Sequence, residues 1–415
     1  MKRLWIVLTI LGLLAPLHYN PGKVSGLAMV RQPTLAGNNN MELGTWNLER
    51  SHGVGYETLR AEPQGEAWNV EHTAGGNVWS QCSQGMGGSN VMALALSPDY
   101  ANDHTLFAGT RDGVFKSTDG GDSWSAVNTG LTNLIVLSLA LSPAYASDHS
   151  LFAGIYGGGV CKSTDGGASW STVNTDLTSL YVFALALSPG YVTDLTLFAG
   201  TWNGVFKSTN GGAFWSVTGL PSVWVSALVL SPGYATDHTI FAGNRSWYSG
   251  GHVVYGGVCK SSDGGDSWSD VNTGLTNRNV YALALSPDYA TDHTIFAGTE
   301  GGGVFRSSDG GDSWSAVHLG LANLSVQALV LSPGYTNDHT LFAGTWGGVF
   351  KSTDGGAFWM AMNEGLGNLF IQSLALTPTS PRTIFAGTVG SSIWQYTLLR
   401  PYQLWLLRVL KGYEM

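Results

Sequence analysis

One eight-residue pattern constrains this chain more than any other feature. "STDGGDSW" runs from Ser117 to Trp124, and close copies begin at Ser163, Ser208, Ser261, Ser307 and Ser352. The six starts are 46, 45, 53, 46 and 45 residues apart. A fixed period of this size means that one supersecondary unit is copied, and that each copy buries its apolar face against its neighbours. The unit reads "LALSPDYANDHTLFAGTRDGVFKSTDGGDSWSAVNTGL" from Leu94. It holds four short apolar runs, "VxxLALSP", "TLFAG", "GVFKS" and "SWSAVN", separated by Gly, Asp, Asn and Pro. That pattern predicts four strands joined by tight turns. Helical periodicity is absent from the repeat.

Four strands per 45-residue unit suit one blade of a β-propeller, whose radial arrangement protects the sheet edges. The fold class expected is therefore all-β. The "LALSP" run occurs seven times, from Leu94 to the variant "LALTP" at Leu374. The seventh unit gives "SSIWQYT" from Ser391 and then lacks both the eight-residue box and a fourth strand. "VWSQCSQGMGG" from Val78 resembles "SWSAVNTGLTN" and precedes the first unit. A seven-bladed ring closed by an N-terminal strand in the last blade accounts for both ends.

The predicted organisation is a signal peptide or anchor over 1–25, a partly ordered lead-in over 26–77, the ring over 78–397 and a tail over 398–415. The start "MKRLWIVLTILGLLAPL" has a basic n-region and an apolar stretch short for a membrane span. Export to the periplasm, cell surface or medium follows, with the membrane involved only if the segment stays uncleaved. A net charge of −9 and the absence of any Lys/Arg run exclude a nucleic-acid backbone as partner. Cys161 and Cys259 fill the strand slot held by Phe115, Phe206, Phe305 and Phe350, so they read as small buried hydrophobes rather than a disulfide.

The box resembles the Asp-box, or bacterial neuraminidase repeat, and the resemblance covers about Val78 to Thr397. Sialidases, xyloglucan-cleaving hydrolases, sortilin-type receptors and photosystem II assembly/stability factors carry such repeats. The resemblance implies a turn between the third and fourth strands of each blade, and a single-ring monomer. The residues agree with a structural role for Asp119, Asp165, Asn210, Asp263, Asp309 and Asp354. Asn210 keeps an acceptor oxygen without the charge, which a turn tolerates and a calcium site does not favour. No metal or cofactor is implied. The Trp that ends each box, with Trp79 in the equivalent slot, is expected to pack between blades. Repeated Asp-His pairs, as at 103–104, read as turn residues, because five such pairs spread around a ring are not a single active site.

Positions that vary between repeats are the candidates for function. The loops joining strands two and three, and those leading into each blade, share the face opposite the boxes. By resemblance to sialidases, that face holds the site. The first set presents Arg111, Tyr156, Trp202, Glu300 and Trp346, and a long fourth copy adds Arg245, Trp247, Tyr248, His252 and Tyr255. The second set presents Tyr181, Trp224 and Phe370, with Arg278 beside Asn279. Exposed aromatics on a concave rim suit a protein or glycan ligand. The expectation is a non-enzymatic binding or assembly propeller. The alternative is a glycoside hydrolase using carboxylates of the central pocket, for which Asp112 and Glu300 are the available pair, although no sialidase-type constellation is assembled in the sequence.

Overall fold

The computed structural model describes residues 28–29, 48–49, 60–64, 67–71, 78–249, 252–378, 382–390 and 392–398. The chain divides into two compact units, one of residues 1–75 and 401–415 and one of Gly76–Arg400. In the first, Ala28–Met29 pairs with Leu48–Glu49, and Arg60–Gln64 forms an antiparallel hairpin with Ala67–Glu71. The expected signal segment and C-terminal tail lie outside the described residues.

The second unit is a seven-bladed β-propeller, each blade a four-stranded antiparallel sheet. In blade 1 the strands run from the innermost Val91–Leu96 through Leu106–Thr110 and Gly113–Ser117 to the short outer Ser125–Ala126. The last blade combines Ile371–Leu376, Arg382–Thr388 and Ile393–Leu398 with Ser80–Gln81, where Trp394 faces Gln81 and Gln395 faces Ser80. The ring therefore closes through the N-terminal strand, as the incomplete seventh repeat required.

Adjacent blades lock through a few repeated contacts. One apolar residue at the start of each inner strand, Val136 or Val225 for example, is fully buried against the preceding blade. The Val136 methyl enters space that a Cβ on Gly109 would occupy, at 2.8 Å, which explains the glycine of "FAG". Phe107 meets the Tyr145 ring of the next blade edge-on at 5.7 Å. The Lys116 ammonium lies 5.5 Å above the centre of that Phe107 ring and donates to the Gly166 carbonyl in the next blade's box. Trp170 donates from its indole to the Val127 carbonyl of the preceding blade, 2.8 Å away. At the closure, Trp124 makes the same bond to the Cys82 carbonyl. Cys82, Cys161 and Cys259 are all buried free thiols.

The box is a hydrogen-bonded turn. Ser163 Oγ donates to Asp165 Oδ1 and accepts from the Gly167 amide, while Asp165 accepts from both the amide and the hydroxyl of Ser169. Gly166 and Gly167 take positive φ of 71° and 92°. Asn210 reproduces the acceptor role, receiving Ser208 Oγ and the Phe214 amide.

One local feature departs from the sequence reading. The repeat contains a single helical turn, Tyr100–Asp103 in blade 1, followed by His104 in the left-handed region at φ 49°. A four-residue helix is too short to leave a periodic signal. Asp103 is held by the Ser97 hydroxyl and the Thr105 amide, so the Asp of each Asp-His pair builds the turn. Leu195 takes the same φ, 50°, without an imidazole. The turn meets the box on one face, since the Gly120 amide donates to the His104 carbonyl.

Candidate functional site

The opposite face is organised by backbone bonds between each second-to-third-strand loop and the residue that leads into the same blade. The Tyr156 amide donates to the Ile135 carbonyl, Trp202 to Tyr181, Glu300 to Asn279 and Trp346 to Ser325. In blade 4 the equivalent residues Arg245 and Trp224 are paired in the sheet. The two variable sets therefore lie side by side in blades 2 to 6, and the curvature of the ring brings the loop of one blade against the approach of the next.

This juxtaposition assembles a continuous arc across blades 2 to 5. The Tyr156 ring lies 4.8 Å from Tyr181, edge to face, and Tyr181 lies 6.1 Å from Trp202. Trp202 stacks on Trp224 at 4.6 Å with 13° between the planes. The Arg245 guanidinium is sandwiched 4.0 Å from the Trp224 ring and 4.0 Å from the Tyr281 ring. It also donates to the Tyr281 hydroxyl, which in turn donates to Glu300 Oε2 at 3.1 Å. Burial raises the Tyr281 pKa, with the Glu300 charge acting in the same direction and Arg245 against it. The phenol therefore stays protonated as the donor to Glu300.

The arc has an open end and a closed end. Tyr156, Tyr181 and Trp202 are each about two-fifths exposed, at 41%, 40% and 38%. Trp224, Arg245, Tyr281 and Glu300 are half-buried. The exposed rings offer apolar faces to a ligand, and the half-buried end fixes them in place.

Two members of the arc were not singled out from sequence, Phe183 and Tyr281. Phe183 touches both Trp202 at 6.2 Å and Trp224 at 5.3 Å. Both occupy the second position of an innermost strand, where the pairing breaks register between the first and third residues. A bulge re-aims its side chain. The signal was present, since this slot reads Met92, Leu137, Phe183, Ser226, Tyr281, Gln327 and Gln372 within an otherwise constant strand.

The remaining candidates separate into groups. Ser246, Tyr255, Thr276, Asn277, Arg278 and Asn279 line a cavity of about 510 Å³ between the long loop of blade 4 and the approach to blade 5. Tyr255 is 71% exposed at this cavity. Arg111, Trp346 and Phe370 are exposed, and among the described residues no ring contact links Trp346 or Phe370 to Tyr156, Tyr181 or Trp224. Trp247 and Tyr248 lie in a two-stranded ribbon with His252–Val254, and their side chains are outside the described set. Glu300 is the carboxylate of the arc, and no contact among the described residues joins Asp112 to it.

The sequence matches no protein-family model and no curated protein. Solved structures share the fold. The extracellular domain described as part of a one component system from B. thetaiotaomicron matches with a TM-score of 0.57 at 18% identity, over 76% of this chain and 39% of that one. A GH74 enzyme from Niastella koreensis matches at 0.60 and 19%, over 78% and 54%. YCF48 bound to D1 peptide matches at 0.58 and 14%, over 78% and 98%. The chain thus spans well under two thirds of the first two. At these identities the likeness is one of fold.

Proposed function

We propose that this protein is an exported, non-enzymatic propeller that binds a protein or glycan through the face opposite its boxes. The observation that carries the reading is the Tyr156–Tyr181–Trp202–Trp224 arc, whose exposed rings are held by the Arg245 sandwich. Rigid, partly exposed aromatics on a concave rim are the chemistry of binding hot spots and sugar-stacking surfaces. The N-terminal sequence supports export, and the extracellular setting of one fold neighbour is consistent with it. A fold neighbour, YCF48, is described as bound to D1 peptide, which is consistent with a binding role. The alternative, a glycoside hydrolase, needs a pair of carboxylates flanking the scissile bond, and no contact among the described residues joins Asp112 to Glu300.

Glycan arrays and pull-downs with the full chain test the reading. The double substitution Tyr181→Ala/Trp202→Ala should weaken binding by roughly tenfold or more, the loss expected for hot-spot aromatics. Deleting residues 244–255 should weaken it as well. Binding that survives both changes would exclude this face.

A further inference from the structure

The cavity beside the long loop of blade 4 has a chemistry different from the arc. Its amide oxygens are already committed inward. Asn277 Oδ1 accepts the Asn279 amide at 3.0 Å, and Asn277 Nδ2 donates to the Glu300 carbonyl at 2.8 Å. Asn279 Oδ1 accepts the Ser246 amide at 2.7 Å, and Ser246 Oγ accepts the Gly256 amide at 2.9 Å. These bonds tie the long loop to the approach of the next blade and hold the walls in place.

The uncommitted side-chain groups can all donate, and the hydroxyls among them can also accept. Asn279 Nδ2, the Ser246, Thr276 and Tyr255 hydroxyls and the five N–H groups of Arg278 line the space. No carboxylate of a described residue lines it. Arg278 is exposed, and the one ion pair among the described residues is Arg382–Asp338, elsewhere on the ring. An unpaired guanidinium in a concavity, on a chain of net charge −9, marks a local demand for an anion.

Size and lining narrow the ligand further. A volume of about 510 Å³ falls within the roughly 300–1,000 Å³ of small-molecule sites. Among the described residues the lining is made of hydroxyl, amide and guanidinium groups and one phenol ring. Hydroxyls and amides match the hydroxyls of a sugar, Tyr255 supplies a ring to stack on, and the Arg278 fork matches a planar carboxylate bidentately. The geometry points to a subsite for a uronic-acid unit of an oligosaccharide, with its carboxylate on Arg278 and its ring against Tyr255. This deepens the binding reading above and rests on it. The arc would then receive the neighbouring units.

The test uses the full chain in calorimetric titrations with a galacturonate trimer, its carboxyl-reduced counterpart and a short peptide ending in a free carboxylate. The wild type should bind the acidic trimer roughly tenfold more tightly than the reduced one, the scale of one charge-assisted bidentate contact. Arg278→Gln should abolish that preference without lowering the thermal midpoint. Arg278→Lys should restore part of it, because the charge returns without the fork. The inference is overturned if the wild type fails to bind the acidic trimer or shows no preference. It is equally overturned if Arg278→Gln retains the preference, or if only the peptide binds. Failure here leaves the binding reading to be judged by the arc substitutions, which do not involve Arg278.

Discussion

The indole rings of Trp202 and Trp224 stack at 4.6 Å across the junction of blades 3 and 4, although 22 positions separate them in the chain. Trp202 comes from a hairpin loop and Trp224 from the approach to the next blade. Aromatic pairs of this geometry are worth about 0.5–1.5 kcal/mol beyond their buried area. A double-mutant cycle with Trp202→Ala and Trp224→Ala should return a coupling energy of that order in urea unfolding. Additive effects would show that the stack is incidental.

The box serine is expected to matter more than the box aspartate. Ser163 is 1% exposed, and its hydroxyl serves the Gly167 amide. Ser163→Ala leaves that buried amide without its acceptor and should cost about 1–3 kcal/mol. Asp165→Asn should cost less, because Asn210 already fills the same slot in blade 3 with its acceptor bonds intact. Reversal of that order in denaturant midpoints would refute the turn account.

Acid stability follows from the same turns. The hydroxyl of Ser169, then its amide and Ser163, pull the Asp165 pKa down to about 2, and Asp309 is lowered to about 2 by Ser313 and Ser307. An unfolded carboxyl of this type titrates near ~3.9. A depressed folded-state value means that the stabilisation is present above pH ~4 and is lost as pH falls toward 2. Urea midpoints measured between pH 5 and pH 2 should drop across that window. The Asp165→Asn/Asp309→Asn variant should show a shallower decline.

Ring closure makes Trp79 disproportionately important. It is 3% exposed, packs 5.5 Å from Tyr396 and donates to the Met362 carbonyl. Trp79→Ala should cost about 3–5 kcal/mol, the range for deleting a buried aromatic. A variant as stable as the wild type in thermal unfolding would mean that the last blade closes without it.

The inter-blade lysines give a further check. Lys162 donates to the Gly211 carbonyl at 3.2 Å and lies 5.3 Å from the Phe152 ring centre. Lys162→Met keeps the stem but removes the donor and the cation, and should cost about 1 kcal/mol in a urea titration. Lys162→Arg should be tolerated, since Arg306 occupies the slot above Phe296 in blade 5.

Much of this was legible along the chain. Blade number, the closing strand, the box turn and the burial of Cys161 and Cys259 all follow from comparing one repeat with another, because each depends on bonds within a single unit or its immediate neighbour. The variable loops were legible as candidates too. The helical turn was not, because four residues carry no period. Phe183 and Tyr281 were missed although their slot varies between repeats, because the register break that re-aims it leaves no mark in a strand pattern.

By itself, then, the sequence determined the ring: local hydrogen bonding and apolar spacing, copied at a period near 45, admit one closed arrangement of seven blades. Only the tertiary structure decided which candidates act together. Tyr156, Tyr181, Trp202, Trp224, Arg245 and Glu300 became one arc, while Arg278 and Tyr255 came to line a separate cavity. The physical reason is that these side chains meet between blades, where proximity is set by the curvature of the closed ring and the bulges of its inner strands.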